Sequence, residues 1–157
     1  MRRGRVVVEE VDSLVLRGNA LRDPHRRRVP VYLPPSYDDS EDTRYPSVYL
    51  LTGFTGRGRR LLHDSAWSPP LEDRMDAMID SRRCGEMILV MPDCFTRLGG
   101  SQYIDSTATG NYGEHLSREL VAWIDARYRT IDDRDHRGVA GKSSGGYGAL
   151  VHGMTRA

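Results

Sequence analysis

Residues 137–150 read Arg-Gly-Val-Ala-Gly-Lys-Ser-Ser-Gly-Gly-Tyr-Gly-Ala-Leu, and few backbones accept that order. A short apolar run leads into Gly141-Lys142-Ser143-Ser144-Gly145, and small residues continue to Leu150. This Gly-x-Ser-x-Gly spacing fits a chain that turns sharply from strand to helix with Ser143 at the apex. Strand and helix approach each other closely in such a turn, so the positions two residues to either side must be small, and Gly141 and Gly145 meet that demand. The Ser143 hydroxyl would then stand clear above the carboxyl edge of a sheet. The Ser144 N–H would point out of the helix N-terminus, where an oxyanion can sit. Five residues alone could be a plain Gly/Ser-rich turn, but the strand signal before and the small-residue helix after them argue against it. Gly141-Lys142-Ser143 also looks like the end of a phosphate loop, G-x-x-x-x-G-K-S/T. That loop needs its first glycine at position 136, which is His136, so nucleotide binding is not expected.

The rest of the chain supplies a sheet for this turn to crown. Residues 47–51 (Ser-Val-Tyr-Leu-Leu) and 87–91 (Met-Ile-Leu-Val-Met) are short apolar runs ending at Thr52-Gly53 and Pro92-Asp93. Such runs suit buried parallel strands. Between them and the strand at 137–140 lie two helical segments. Residues 71–82 place Leu71, Met75, Met78 and Ile79 on one face, and residues 114–128 do the same with Leu116, Leu120, Trp123, Ile124 and Tyr128. Strand and helix in alternation call for right-handed crossovers and a parallel sheet. Upstream, residues 5–11, 13–17 and 28–33 read as strands of an antiparallel meander. Residues 95–112, with Gly99-Gly100 and Gly110, form a long loop at the end of the sheet where active sites are often lined.

Composition narrows the function. The chain has 157 residues, one domain's worth at about 100–200 residues per domain, and 1–157 read as a single α/β domain. A net charge of +1 gives no general field for nucleic acid or anionic membrane. The basic clusters, Arg2-Arg3 with Arg5, Arg26-Arg27-Arg28, and Arg57 with Arg59-Arg60, read as solvated faces because no aromatic residues interleave with them. Cys84 and Cys94 lack metal-site or CxxC spacing and read as free thiols in a reducing compartment. The basic start is followed by only three valines before Glu9-Glu10, too short for a signal core, and no run spans a membrane. A cytoplasmic location is expected, with no metal and no cofactor.

Several stretches in order resemble the Putative esterase family of α/β-hydrolases, the group of esterase D (S-formylglutathione hydrolase), feruloyl and enterochelin esterases and mycolyltransferases. They are Val31-Tyr32-Leu33-Pro34-Pro35-Ser36-Tyr37, Tyr45-Pro46-Ser47-Val48-Tyr49-Leu50-Leu51-Thr52-Gly53, Met91-Pro92-Asp93, the segment from Tyr112-Gly113-Glu114 through Glu119-Leu120 to Tyr128-Arg129-Thr130, and Gly141 to Leu150. The resemblance implies the N-terminal part of an α/β-hydrolase fold: a mostly parallel sheet with an antiparallel N-terminal meander and helices on both faces. It implies a serine carboxylic-ester hydrolase working through an acyl-enzyme on a small-molecule ester. Ser143 would be the nucleophile, and the N–H groups of Phe54 and Ser144 would form the oxyanion hole. Many members carry His-Gly before the first of those donors where this chain has Thr52-Gly53. Tyr103 and Asp105 fall in the loop expected beside the substrate.

In that family the acid and the histidine follow the serine. Residues 144–157 hold no Asp and no Glu, and their single histidine, His152, falls on the far side of the predicted helix from Ser143. It reads as a packing or surface residue. His63 and His115 are the remaining candidates for a non-standard base. The chain therefore reads as an α/β-hydrolase truncated after the turn, with strand 137–140 left as a sheet edge that invites self-association. Two alternatives stand beside the esterase: an inactive, shortened hydrolase serving as a binding or assembly module, and an acyltransferase.

Overall fold

The computed structural model describes residues 2–156. Five strands form one sheet in the order β1-β2-β4-β3-β7: β1 (Arg5–Asp12), β2 (Arg26–Leu33), β3 (Ser47–Leu51), β4 (Ile88–Val90) and β7 (Arg137–Gly141). β1 and β2 pair antiparallel from Arg5 opposite Leu33 to Asp12 opposite Arg26. β4 lies parallel to β3 and β3 parallel to β7, with Leu51 opposite Gly141. The three apolar runs thus form the parallel half of the sheet, and β2, antiparallel to β4, joins the N-terminal hairpin to it.

Period-two alternation divides the strands between two cores, as it must when side chains point to opposite faces. Val29, Val31 and Leu33, Tyr49 and Leu51, and Ile88 and Val90 face one layer. Tyr32, Leu89, Val48 and Leu50 face the other. The helix α1 (Leu71–Asp80) covers the second face with Leu71, Met75 and Ile79, while its buried Asp76 accepts from Tyr32 Oη at 2.7 Å and Gly4 N at 2.9 Å. The first face is covered by α2 (Tyr112–Glu114), a π turn (His115–Glu119) and α3 (Leu120–Asp125), which run on continuously and bury Tyr112, Leu116, Leu120 and Ile124. The helix predicted over 114–128 is therefore present, displaced toward the N-terminus and widened by the π turn.

Residues 13–17 do not form the strand expected of them. They make a turn, with Leu16 fully buried beneath it. The reason lies in another element: Glu119 reaches across and accepts hydrogen bonds from Ser13 Oγ, from Leu14 N at 2.5 Å and from Val15 N at 3.4 Å. A carboxylate that collects neighbouring N–H groups competes directly with a ladder for those donors. The long loop at 95–112 also carries structure of its own, a two-residue hairpin of β5 (Asp105–Ser106) and β6 (Gly110–Asn111). The last helix, α4 (Ser144–Thr155), follows β7 directly and packs against β7 and β3. Among the described residues no helix is long and apolar enough to cross a membrane.

Candidate active site

Three chain segments meet at the carboxyl ends of the parallel strands. The first is the turn from β7 into α4. Ser143 sits there at φ 56° and ψ −120°, a left-handed conformation for a residue with a side chain, and it is exposed. Backbone held in such a region costs about 1–3 kcal/mol and persists only where its surroundings enforce it. Here Lys142 N donates to Leu51 O at 3.3 Å, Gly145 N to Lys142 O at 2.9 Å and Tyr147 N to Ser143 O at 3.0 Å. The two flanking glycines are sterically required. A Cβ on Gly141 would lie 2.4 Å from the Gly145 carbonyl group, and one on Gly145 would lie 2.2 Å from Leu51 O.

The second segment is the loop leaving β3. Gly53 lies against the turn, its Cβ position 3.5 Å from Ser143 Cβ. Gly56 N turns back to Gly53 O and Thr55 N donates to Gly99 O, each at 2.9 Å. No described carbonyl or side chain takes the N–H of Phe54 or of Ser144, so both remain free beside Ser143. The Phe54 ring rests on the backbone of Gly99 and Gly100, where a Cβ on Gly99 would come within 2.8 Å of it.

The third segment is the loop over 94–104, which ties the other two together. Gln102 and Tyr103 both take positive φ, 54° and 60°. Gln102 Oε1 accepts from Ser144 Oγ at 2.8 Å. Tyr103 is buried, donates its hydroxyl to Thr52 O at 2.7 Å, and packs on α4 at Gly148, where a Cβ would fall 2.8 Å from Tyr103 Cβ. Burial pushes the Tyr103 phenol up to about 12, so it stays a donor throughout the physiological range. His152 Nε2 donates to Tyr103 O at 2.7 Å from the buried side of α4. Its position is a packing one.

The remaining predicted residues divide. Asp105 does not face Ser143: its Oδ1 accepts from Glu114 N at 2.8 Å and its Oδ2 from Arg156 at 2.7 Å, so it fixes the start of α2 to the end of α4. His115 is wholly buried and bonded through Nδ1 to Glu119 at 2.8 Å. His63 lies on the exposed wall of a separate arginine-rich cleft. Gln102 and Gly148 carried no sequence signal of their own, although Gly148 stands in the small-residue run that marks close approach. Among the described residues no group of three or more His, Cys, Asp or Glu could hold a metal ion.

A model of the Putative esterase family matches residues 20–156. The chain belongs to that family. Among solved structures this esterase-family chain is similar to a ferulic acid esterase at 30% identity and a TM-score of 0.79, covering 98% of this chain and 55% of that one. It is similar also to an S-formylglutathione hydrolase from Agrobacterium tumefaciens, with 20% identity, a TM-score of 0.67, and coverage of 96% and 53%. A ferulic acid esterase from Anaeromyces mucronatus shares the fold at 20% identity and a TM-score of 0.67, with coverage of 92% and 51%. The chain thus spans about half the length of these relatives, and it corresponds to the N-terminal part of their α/β-hydrolase fold.

Proposed function

We propose that Ser143 is the nucleophile of a serine carboxylic-ester hydrolase acting on small-molecule esters. The single observation that carries this is the backbone of Ser143, left-handed and exposed between a strand and a helix, with Gly53 against it. Such strain at a serine is held for a purpose, since the same turn could be made without it by glycine. In this reading Ser143 Oγ attacks the acyl carbonyl and forms the C–O bond of an acyl-enzyme. The negative charge on the carbonyl oxygen is received by the free N–H groups of Phe54 and Ser144, donors worth about 2.7–4 kcal/mol each in such a hole. The leaving alcohol departs, and water cleaves the acyl group in a second step.

The proton of Ser143 needs a base, and among the described residues no histidine is bonded to Ser143: His115 is held on Glu119, His136 on Asp133 and His152 on Tyr103 O. For this chain alone, slow formation of a covalent adduct is expected. A fluorophosphonate probe read by intact mass tests it. One adduct should form, be lost in Ser143→Ala, and form faster with imidazole in solution. An adduct that persists in Ser143→Ala would refute the assignment. Aromatic acyl groups are the first esters to try, because the ferulic acid esterase is the similar structure of 30% identity.

A second reading is favoured by a separate observation. β7 is an edge strand, and Tyr147, Leu150 and Met154 of the adjoining α4 are 48%, 68% and 83% exposed. An unpaired edge beside exposed apolar side chains suits an assembly surface. In that reading the chain self-associates through β7 and α4, and a binding role takes the place of catalysis.

A further inference from the structure

A concavity of about 980 Å³ opens beside the candidate active site, at the same carboxyl edge of the sheet. Its walls come from the start of β2 (Arg26, Arg27, Arg28), from the segment after β3 (Thr55, Arg57, Arg59, Arg60, His63), and from Asp93 after β4. Six arginines therefore converge on one cleft against a single carboxylate. The sequence places them in separate clusters; β2, running antiparallel to β4, brings its first residues alongside the exits of the parallel strands.

Part of this charge is already committed. Arg27 is 4% exposed and donates to Phe95 O at 2.8 Å and to Tyr112 Oη, yet its Nε has no partner. Arg57 lies over the Phe95 ring at 4.2 Å and 3.8 Å from Asp93. Arg26 is shared with Glu10 at 3.5 Å and Asp12 at 3.8 Å. Arg28, Arg59 and Arg60 have no carboxylate within 4.0 Å among the described residues. Three free guanidinium groups at one cleft repel one another and present forks suited to bidentate anion recognition. No aromatic side chain lines the cleft, and the Phe95 ring beside it is covered by Arg57. Trp67, 97% exposed, lies in the chain between the lining residues Ser65 and Ser68 without itself lining the cleft. The volume falls within the range of a small-ligand site.

We infer that this cleft binds a small ligand carrying two or more phosphate or carboxylate groups, through Arg28, Arg59 and Arg60. Thr55 belongs both to the cleft wall and to the loop that packs on Ser143. An ester seated by its anionic end is thereby directed toward the turn at Ser143. This last step, which makes the ligand a substrate, rests on the proposed function; anion binding does not.

Isothermal titration of the full chain with pyrophosphate, and separately with citrate, at low salt tests the cleft and distinguishes phosphate from carboxylate recognition. Saturable binding of at least one is expected, weakened about tenfold or more in Arg59→Gln/Arg60→Gln. Both residues are exposed and unpaired, so the variant should fold normally. Arg83→Gln/Arg118→Gln removes the same charge away from the cleft, Arg83 standing before β4 at the opposite end of the sheet, and should bind as the parent does. No saturable heat with either anion, equal weakening in the control pair, or tighter binding of a single-stranded oligonucleotide that strengthens with its length would each overturn the inference. For the substrate step, a fluorophosphonate bearing a carboxylate tail should label Ser143 faster than a neutral one, with the difference lost in Arg59→Gln/Arg60→Gln. Equal labelling by the two probes would refute the substrate step. Labelling of neither would count against the nucleophile and leave the titration result standing.

Discussion

Ser143 holds its strained backbone because glycines on both sides let strand and helix close on each other. Gly145→Ala should therefore be costly: its Cβ would sit 2.2 Å from Leu51 O, and overpacking of this kind costs about 1–3 kcal/mol. Urea denaturation should show the midpoint fall, and Ser143 labelling should fall with it. Gly153→Ala is the counterpart. That glycine lies within α4 with nothing within 4 Å of its Cβ position, so the alanine should stabilise by about 0.5–1 kcal/mol. Tyr103 acts at one remove, as a positioning residue. Tyr103→Phe would leave the Thr52 carbonyl without its 2.7 Å donor, at a cost of about 1–3 kcal/mol. Fluorophosphonate labelling should also slow more than in other variants of equal stability, because Thr52 opens the loop that carries Phe54.

At the scale of elements, Glu119 decides how the second crossover, between β4 and β7, is joined to the N-terminal hairpin. Burial works against its charge, but hydrogen bonds from His115, Ser13 and Leu14 N–H outweigh that and hold the carboxyl down at about 2. A carboxyl depressed in the folded state adds stability that is complete above its ordinary value of 4.5 and is lost as pH falls toward about 2. Thermal unfolding followed between those limits should show a steep decline for the parent chain. In Glu119→Gln the chain should be less stable at neutral pH and its decline shallower. An unchanged slope would mean that another carboxylate governs the acid limb. The same contact accounts for the turn at 13–17, so the variant should also loosen that turn, visible as faster amide exchange at Leu14 and Val15.

For the whole molecule the exposed sheet edge dominates. β1 ends the sheet on one side with four charged residues, Arg5, Glu9, Glu10 and Asp12, a device that discourages further pairing. β7 ends it on the other side with Gly138, Val139, Ala140 and Gly141, and α4 adds Leu150 and Met154 beside it. Concentration-dependent association is expected in sedimentation velocity, and Leu150→Glu/Met154→Glu should reduce it. A parent chain that sediments as one monomeric species at every concentration would show that the edge is shielded in some other way.

The β5–β6 hairpin was not legible in the sequence, whereas the alternation of β3, α1, β4, α3, β7 and α4, the parallel half of the sheet and the sharp turn at Ser143 were. They depend on spacing along the chain: short apolar runs, two amphipathic faces, and a glycine on each side of a serine. Tertiary structure decided what depends on residues far apart. Glu119, 105 positions from Leu14, turned an expected strand into a loop by taking its N–H donors. Asp105 became a brace for α2 and α4 because Arg156 meets it there. Tyr103 joined the loop leaving β3 to α4 through a carbonyl 51 positions away. Arginines that read locally as solvated faces lie around one cleft because an antiparallel strand delivers three of them to the exits of the parallel ones. Local pattern fixes dihedral angles and buried faces, whereas hydrogen-bond partners and converging charges exist only once the chain has closed on itself.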